Sequence, residues 1–346
     1  MERRRVAVIT GANSGLGFTI ACRILDSMGM SDPLTIVIST RHMRKAADTI
    51  VRLRAYMVQK KLKNEFLSFD YVLMDLGDLS TVCEVSDLLK ERYSHIDYLF
   101  LNAGGGDFKG LDWIKSTKQV LTDPVGAMTL PDFKLEGVGK KSFDGVGWVF
   151  QINVFANYVL MHRLQSALQN GGRVIFIGSV EANMAKPFGS DIQLVETDNS
   201  YADSKKQVQC VHAALAHEWK QNYNISLYLT HPGVCQTAIF AEHLNFMTTV
   251  GMLVLFYFVR FLGCPWLVIS AYKGALAPVY AALFHVESEE ESSENTNFGS
   301  ACDVWGKEYV KKLPTAADED KKIGRQIVAE MEKLEAEKTA SFFRDQ

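Results

Sequence analysis

The sequence predicts an α/β fold built on a doubly wound parallel sheet, and three observations predict it. Short, nearly all-apolar runs rich in β-favouring residues alternate with segments of helical periodicity from residue 6 to residue 230. Such runs suit strands buried on both faces, as in a parallel sheet covered by helices on either side. The first run, Val6 to Ile9, leads directly into Gly11, Ala12, Asn13, Ser14, Gly15, Leu16 and Gly17. A glycine-rich turn between a strand and a helix lets the backbone approach a phosphate. Third, 346 residues with 47% apolar content can bury a large core, which fits one enlarged domain with a tail.

The elements follow in order. The first strand ends at Thr10, and a helix starts near Ser14 with Ile20, Ile24 and Leu25 on one face. Its first N–H groups lack intrahelical partners and point beyond the strand end. A second strand spans Leu34 to Ser39, a basic amphipathic helix Met43 to Lys63, a third strand Phe69 to Met74, a helix Leu79 to Tyr93 and a fourth strand Asp97 to Leu101. A helix around Gly147 to Leu168, a strand at Arg173 to Ile177, a helix at Tyr201 to Gln221 and a strand at Ile225 to Thr230 complete the alternation, which is that of a Rossmann-type fold. Gly105 to Phe143, Asn183 to Asn199 and everything after about Glu287 read as additions to this core. The expected division is therefore a Rossmann-type domain over residues 1–286 and an extension over residues 287–346. In the extension, the acidic run Glu287 to Glu294 reads as a solvated loop. Ile323, Ile327, Val328, Met331 and Leu334 recur at helical spacing between Asp320 and Phe342, most simply a helix packed on the body. A partner-binding or membrane-surface helix is the alternative.

Composition narrows the function. A formal charge of -3 leaves no basic surplus for nucleic acid. The six cysteines, at 22, 83, 210, 235, 264 and 302, form no C-x-x-C pair and have no histidine spacing suited to zinc, so no metal site is expected. They read as apolar fillers in a reducing compartment. Arg3 to Arg5 are followed by only a short strand, so no secretory signal is expected and the chain is expected to face the cytosol.

Tyr201 and Lys205 stand four apart on a predicted helix and so share a face. A phenol ordinarily titrates near pH ~10, and a nearby cation favours its ionised form. The pair can thus exchange a proton with a carbonyl or a hydroxyl. Ser179 closes a predicted strand after Gly178, which places a hydroxyl at the carboxyl edge of the sheet, where ligands bind in such folds.

Together these pieces resemble the short-chain dehydrogenase/reductase family. Thr10 to Gly17, Asp75 and Leu76, Leu101 to Gly104, Asn153, Ser179, Tyr201 with Lys205, and Pro232 to Thr237 come in the family's order. The resemblance implies that Tyr201 gives the proton to the substrate oxygen and that Ser179 hydrogen-bonds the same oxygen. It implies that Lys205 holds the nicotinamide ribose and lowers the tyrosine pKa, and that Asn153 kinks its helix and positions a water linking Lys205 to solvent. Asp75 and Leu76 would hold the adenine, Asn102, Ala103 and Gly104 the adenosine ribose and the sheet below it, and Thr237, beyond Pro232 and Gly233, the carboxamide. At the end of the second strand, Ser39, Thr40 and Arg41 stand with no acid until Asp48. An acid there would favour NAD and a cation favours a 2'-phosphate. NADPH is the expected cofactor, with Arg41 rather than Lys45 on the phosphate because a guanidinium grips it with paired hydrogen bonds.

After Pro232 and Gly233 the chain turns apolar. Phe246 to Val259 and Phe261 to Tyr272 hold no charge and flank Arg260. The segment, an enlarged substrate lid over about 238–275, reads as a membrane-embedded lid or hydrophobic channel, a transmembrane span, or a helix buried by a second copy in a homodimer. The glycine turn, the expanded Asn102 to Asn153 segment, the long Ser179 to Tyr201 gap and this lid resemble the 3-keto-steroid reductases of sterol C4 demethylation. That resemblance implies a hydrophobic sterol ketone as substrate, contact with other sterol-biosynthesis enzymes, and a place at the endoplasmic reticulum membrane and lipid droplets. A reductase of another lipophilic carbonyl and a non-catalytic scaffold are the competing expectations.

Overall fold

A computed structural model of the chain describes residues 3–186, 189, 191–235, 246–286 and 297–342. Its strands are β1 (Arg5–Thr10), β2 (Leu34–Thr40), β3 (Leu67–Leu73), β4 (Tyr98–Leu101), β5 (Phe108–Leu111), β6 (Lys134–Glu136), β7 (Arg173–Ile177), β8 (Ser226–His231), β9 (Val234–Cys235), β10 (Leu267–Ile269), β11 (Asn297–Cys302) and β12 (Glu308–Lys312). Eight of them make one sheet in the order β12-β11-β8-β7-β4-β1-β2-β3. Every neighbouring pair is parallel except β11 with β12.

Burial on both faces explains the unbroken apolar runs. Val6 and Val8 of β1 pack into one core with Leu99, Val159 and Met331, while Ala7 and Ile9 point into the opposite core with Ile24 and Ile36. The strand order reverses between β1 and β4, which leaves a crevice at their carboxyl ends. Thr10 ties the two ends together. Its Oγ1 accepts from the backbone N–H of Asn102 (2.9 Å) and Ala103 (2.8 Å), and Asn102 Nδ2 donates to Thr10 O at 2.8 Å.

The fold departs from the expected division at residues 286 and 287. Asn297–Cys302 pairs parallel with β8, and Glu308–Lys312 closes that edge, so part of the expected extension belongs to the central sheet. The helix Asp318–Phe342 lies outside the sheet, packed on the helix Ser200–Tyr223 through Ile327, Met331 and Leu334. The acidic run Glu287 to Glu294 lies outside the described residues. The expected helix over 147–168 is divided into Trp148–Phe150, a π-helical turn Gln151–Phe155, and Ala156–Arg163.

The lid is not one continuous helix. Phe246–Phe261 is followed by a turn at Gly263 (φ +91°) and by β10, which pairs with β9. Sixteen residues reach ~24 Å, and among the described residues no helix is long and apolar enough to cross a membrane. Arg260, the charge that interrupts the apolar run, is buried and donates from Nε (3.0 Å) and Nη2 (2.5 Å) to Leu267 O, so the backbone of the next segment answers its charge. Residues 105–143 form a subdomain of their own: β5 and β6 pair antiparallel, with the helices Trp113–Thr122 and Pro124–Thr129 between them.

Candidate active site

The glycine turn after β1 is shaped by its neighbours. Gly11 and Gly15 have φ of +66° and +53°, a region that only glycine enters freely. A Cβ on Gly17 would come within 2.4 Å of Gly11 O and 2.6 Å of Asn102 Nδ2, so the helix can start close against the strand only because the position is bare. Beyond the turn opens a cavity of about 930 Å³ that runs from the switch point to the lid. Gly11, Asn13, Ser14, Gly15, Leu16, Arg41, Asp75, Leu76, Asn102, Ala103, Gly104, Ser179, Tyr201, Lys205, Pro232 and Gly233 all line it. Lys45 lines it as well, so two cations and not one border the adenosine end. Thr237 lies outside the described residues.

The residues expected to handle the proton meet at the other end. Asn153 sits in the π-helical turn, where its Oδ1 accepts from Gly105 N (2.8 Å) and its Nδ2 donates to Gly105 O (2.8 Å) and Ser204 Oγ (2.8 Å). The loop after β4 is thereby clamped to the helix Ser200–Tyr223. Lys205 is buried and donates from Nζ to Ile177 O at 2.9 Å, and burial pulls its pKa down to about 8. Burial holds the Tyr201 phenol well above its ordinary range, and the negative charge of Glu181 adds to this. The largest opposing effect is the hydrogen bond with Ser179, not Lys205, whose ammonium lies 5.7 Å from the Tyr201 ring centre and is spent on the Ile177 carbonyl.

Several residues at the site escaped the sequence reading. Asn157, one helical turn beyond Asn153, donates from Nδ2 to Ile152 O and Asn153 O, while its Oδ1 is buried without a protein partner among the described residues. It borders, with Asn153 and Lys205, a cavity of about 10 Å³, the room one water needs. The signal for it was the i, i+4 spacing of the two asparagines. The inserted hairpin supplies Phe108, whose ring centre is 5.7 Å from that of Tyr201, and Lys134 and Glu136 from β6. Their signal was weaker: a charged residue at every second position of a three-residue strand.

Phe108, Trp113, Val120, Met128 and Phe133 of the insertion and Met252 and Leu255 of the lid make the far wall of the cavity almost wholly apolar. Among the described residues no group of acidic, histidine or cysteine side chains could hold a metal. The cradle of glycine backbone, the cations near its adenosine end and the Ser179, Tyr201 and Lys205 constellation fit a nicotinamide dinucleotide. The fold and the site thus define a nicotinamide-dependent oxidoreductase.

Comparison with known proteins gives the family. The model for short chain dehydrogenases matches residues 5–247, and the chain belongs to that family. It is 40% identical over 306 residues to 3-keto-steroid reductase ERG27 of Candida albicans, covering 88% of this chain and 87% of that one. It is 38% identical over 326 residues to the 3-keto-steroid reductase of Kluyveromyces lactis, covering 92% of each. To ERG27 of Saccharomyces cerevisiae it is 35% identical over 310 residues, covering 89% and 88%. Among solved structures it is similar in fold to the Pseudomonas aeruginosa RhlG/NADP active-site complex, with a TM-score of 0.56, 19% identity, and 85% and 93% of the two chains covered. YwfH, an NADPH dependent reductase involved in bacilysin biosynthesis, gives 0.54, 17%, 88% and 99%.

Proposed function

We propose that this protein reduces a 3-keto steroid, specifically a sterol 3-ketone to the 3β-alcohol in sterol C4 demethylation, with NADPH. The observation that carries the reading is the Ser179, Tyr201 and Lys205 constellation opening onto an apolar cavity, in a chain similar over most of its length to 3-keto-steroid reductases. The glycine turn and Asn102 to Gly104 hold the dinucleotide, Asp75 and Leu76 the adenine, and Arg41 with Lys45 a 2'-phosphate. When bound, the nicotinamide supplies the hydride that the carbonyl carbon accepts. Tyr201 donates a proton to the carbonyl oxygen, and the Ser179 hydroxyl hydrogen-bonds that oxygen as negative charge develops on it. The apolar wall excludes water and holds the rings, so that the ketone is presented at a fixed distance from Tyr201.

The same reading places the protein on the surface of the endoplasmic reticulum membrane and of lipid droplets. The helix Phe246–Phe261 lines the cavity with Met252 and Leu255 and exposes Val250, Val254, Tyr257, Phe258 and Phe261. The helix Trp113–Thr122 lines the same cavity and exposes Ile114 and Leu121. Two outward apolar faces beside one apolar cavity suit a substrate that arrives from lipid rather than from water.

The test is NADPH consumption by detergent-solubilised protein on a 4-methyl sterol 3-ketone, with a 17-keto steroid and retinal run beside it. Turnover of the sterol ketone is the expected result. Turnover confined to either of the others removes the substrate assignment and keeps the chemistry.

A further inference from the structure

The inserted hairpin reaches across the site to the catalytic tyrosine. Residues two apart on a strand share a face, and Lys134 and Glu136 of β6 both face the start of the catalytic helix. Glu136 Oε2 accepts from Ser200 Oγ (2.7 Å) and from the backbone N–H of Tyr201 (2.9 Å). It thereby caps a helix whose own N-cap residue, Asn199, makes no side-chain cap bond. Lys134 is nearly buried, ion-paired with Glu181, and its Nζ stands 5.3 Å from the centre of the Tyr201 ring and 5.1 Å from that of Phe108. Gly106 makes room for this stack: a Cβ there would meet the Phe108 ring at 2.7 Å and Tyr201 Cβ at 3.2 Å.

We propose that Lys134 is a positioning residue for the reaction. It packs against the Tyr201 ring and neutralises Glu181 beside it, so that the insertion is part of the proton-transfer apparatus and not only a wall for the substrate. The proposal rests on the role of Tyr201 as proton donor given above. The groups facing the phenol are Lys205 on its own helix, Ser179 and Glu181 after β7, Lys134 and Glu136 on β6, Phe108 on β5 and Cys235 on β9. Of these, Glu181 is the acid whose charge most disfavours a tyrosinate, and it is the one Lys134 pairs. Removing the lysine leaves that carboxylate unopposed and makes the phenol a weaker acid. Removing the carboxylate leaves the lysine unopposed and makes it a stronger one.

Two readouts test this. One is the pH dependence of 3β-hydroxysterol oxidation with NADP, a direction that needs the tyrosinate. The other needs no substrate: the rate at which tetranitromethane, which reacts with phenolate, nitrates Tyr201 near pH ~8, read on the peptide that carries it. Lys134→Met is expected to move the oxidation profile upward by on the order of one pH unit and to slow nitration about tenfold. Glu181→Gln moves both the opposite way, the double variant returns them toward wild type, and Lys134→Arg keeps the wild-type profile. Because Glu181→Gln carries a shift of opposite sign, the test survives a failure of Lys134→Met to fold. Unchanged profiles and nitration rates in both single variants, with only thermal stability reduced, overturn the proposal. The expected nitration pattern in a protein that turns over no hydroxysteroid supports the clamp and overturns the substrate reading instead.

Discussion

Tyr201 and Lys205 are set apart by what burial does to each. In the proposed reaction, removing the phenol oxygen removes the proton donor without touching the glycine cradle. Tyr201→Phe should therefore lower kcat by roughly 10² to 10⁴ and leave the NADPH dissociation constant, measured by fluorescence titration, nearly unchanged. Lys205 is a buried cation whose pKa falls to about 8 from 10.5. The folded state binds its proton less tightly than the unfolded chain, so the cost of burying the charge is fully present below about pH 8 and fades toward pH 10.5. Lys205→Met should accordingly raise the Tm of the cofactor-free protein at neutral pH while abolishing turnover, and the gain should shrink when the melt is repeated above pH ~9. A site that costs stability in this way is a common mark of function.

Among the elements, the helix Asp318–Phe342 shows how the tail serves the site. It packs on the back of the catalytic helix, with Ile327 and Met331 fully buried and Gly324 so close that a Cβ would meet Cys210 O at 2.0 Å. Met331→Ala should cost about 2 to 5 kcal/mol in urea unfolding. A second contact adds a pH dependence. Hydrogen bonding to Glu335 holds the His162 pKa above the ordinary imidazole range. A raised folded pKa means that the contribution is complete below the unfolded value of about 6.5 and is lost as pH rises through the folded one. Hydrogen exchange over residues 318–342 should therefore be more protected at pH ~6 than at pH ~8, and His162→Ala should erase the difference.

The elements also show what could be read from the sequence. Strands buried on both faces announce themselves as Val/Ile runs, and the glycine turn and the Tyr201 and Lys205 pair, each common alone, become legible through their order along the chain with the other pieces. By contrast, Asn297–Cys302 reads N-F-G-S-A-C, with small and polar residues where a strand signal needs apolar ones. It is a strand because β8 offers it an edge, and Gly299 lies where a Cβ would meet the His231 ring at 2.7 Å. The roles of Lys134 and Glu136 depend on contacts 47 and 64 residues away along the chain, which no local pattern encodes.

At the scale of the whole molecule, the insertion and the lid close one end of the dinucleotide fold into an apolar chamber and turn apolar side chains outward beside it. If those faces meet lipid, charges placed on them should release the protein without disturbing the chemistry. Val254→Lys with Phe258→Glu should cut recovery with floated liposomes several-fold, while turnover of a detergent-dispersed ketone stays near wild type.

The measurement that bears most directly on the account is product formation from a sterol 3-ketone and NADPH by the purified wild type and by Tyr201→Phe, read by mass spectrometry. The account predicts the 3β-hydroxysterol from the wild type, formed one-to-one with NADPH consumed, and its formation slowed at least about a hundredfold in the variant, which still binds NADPH. Undiminished product from Tyr201→Phe, or no hydroxysterol from the wild type, would contradict it.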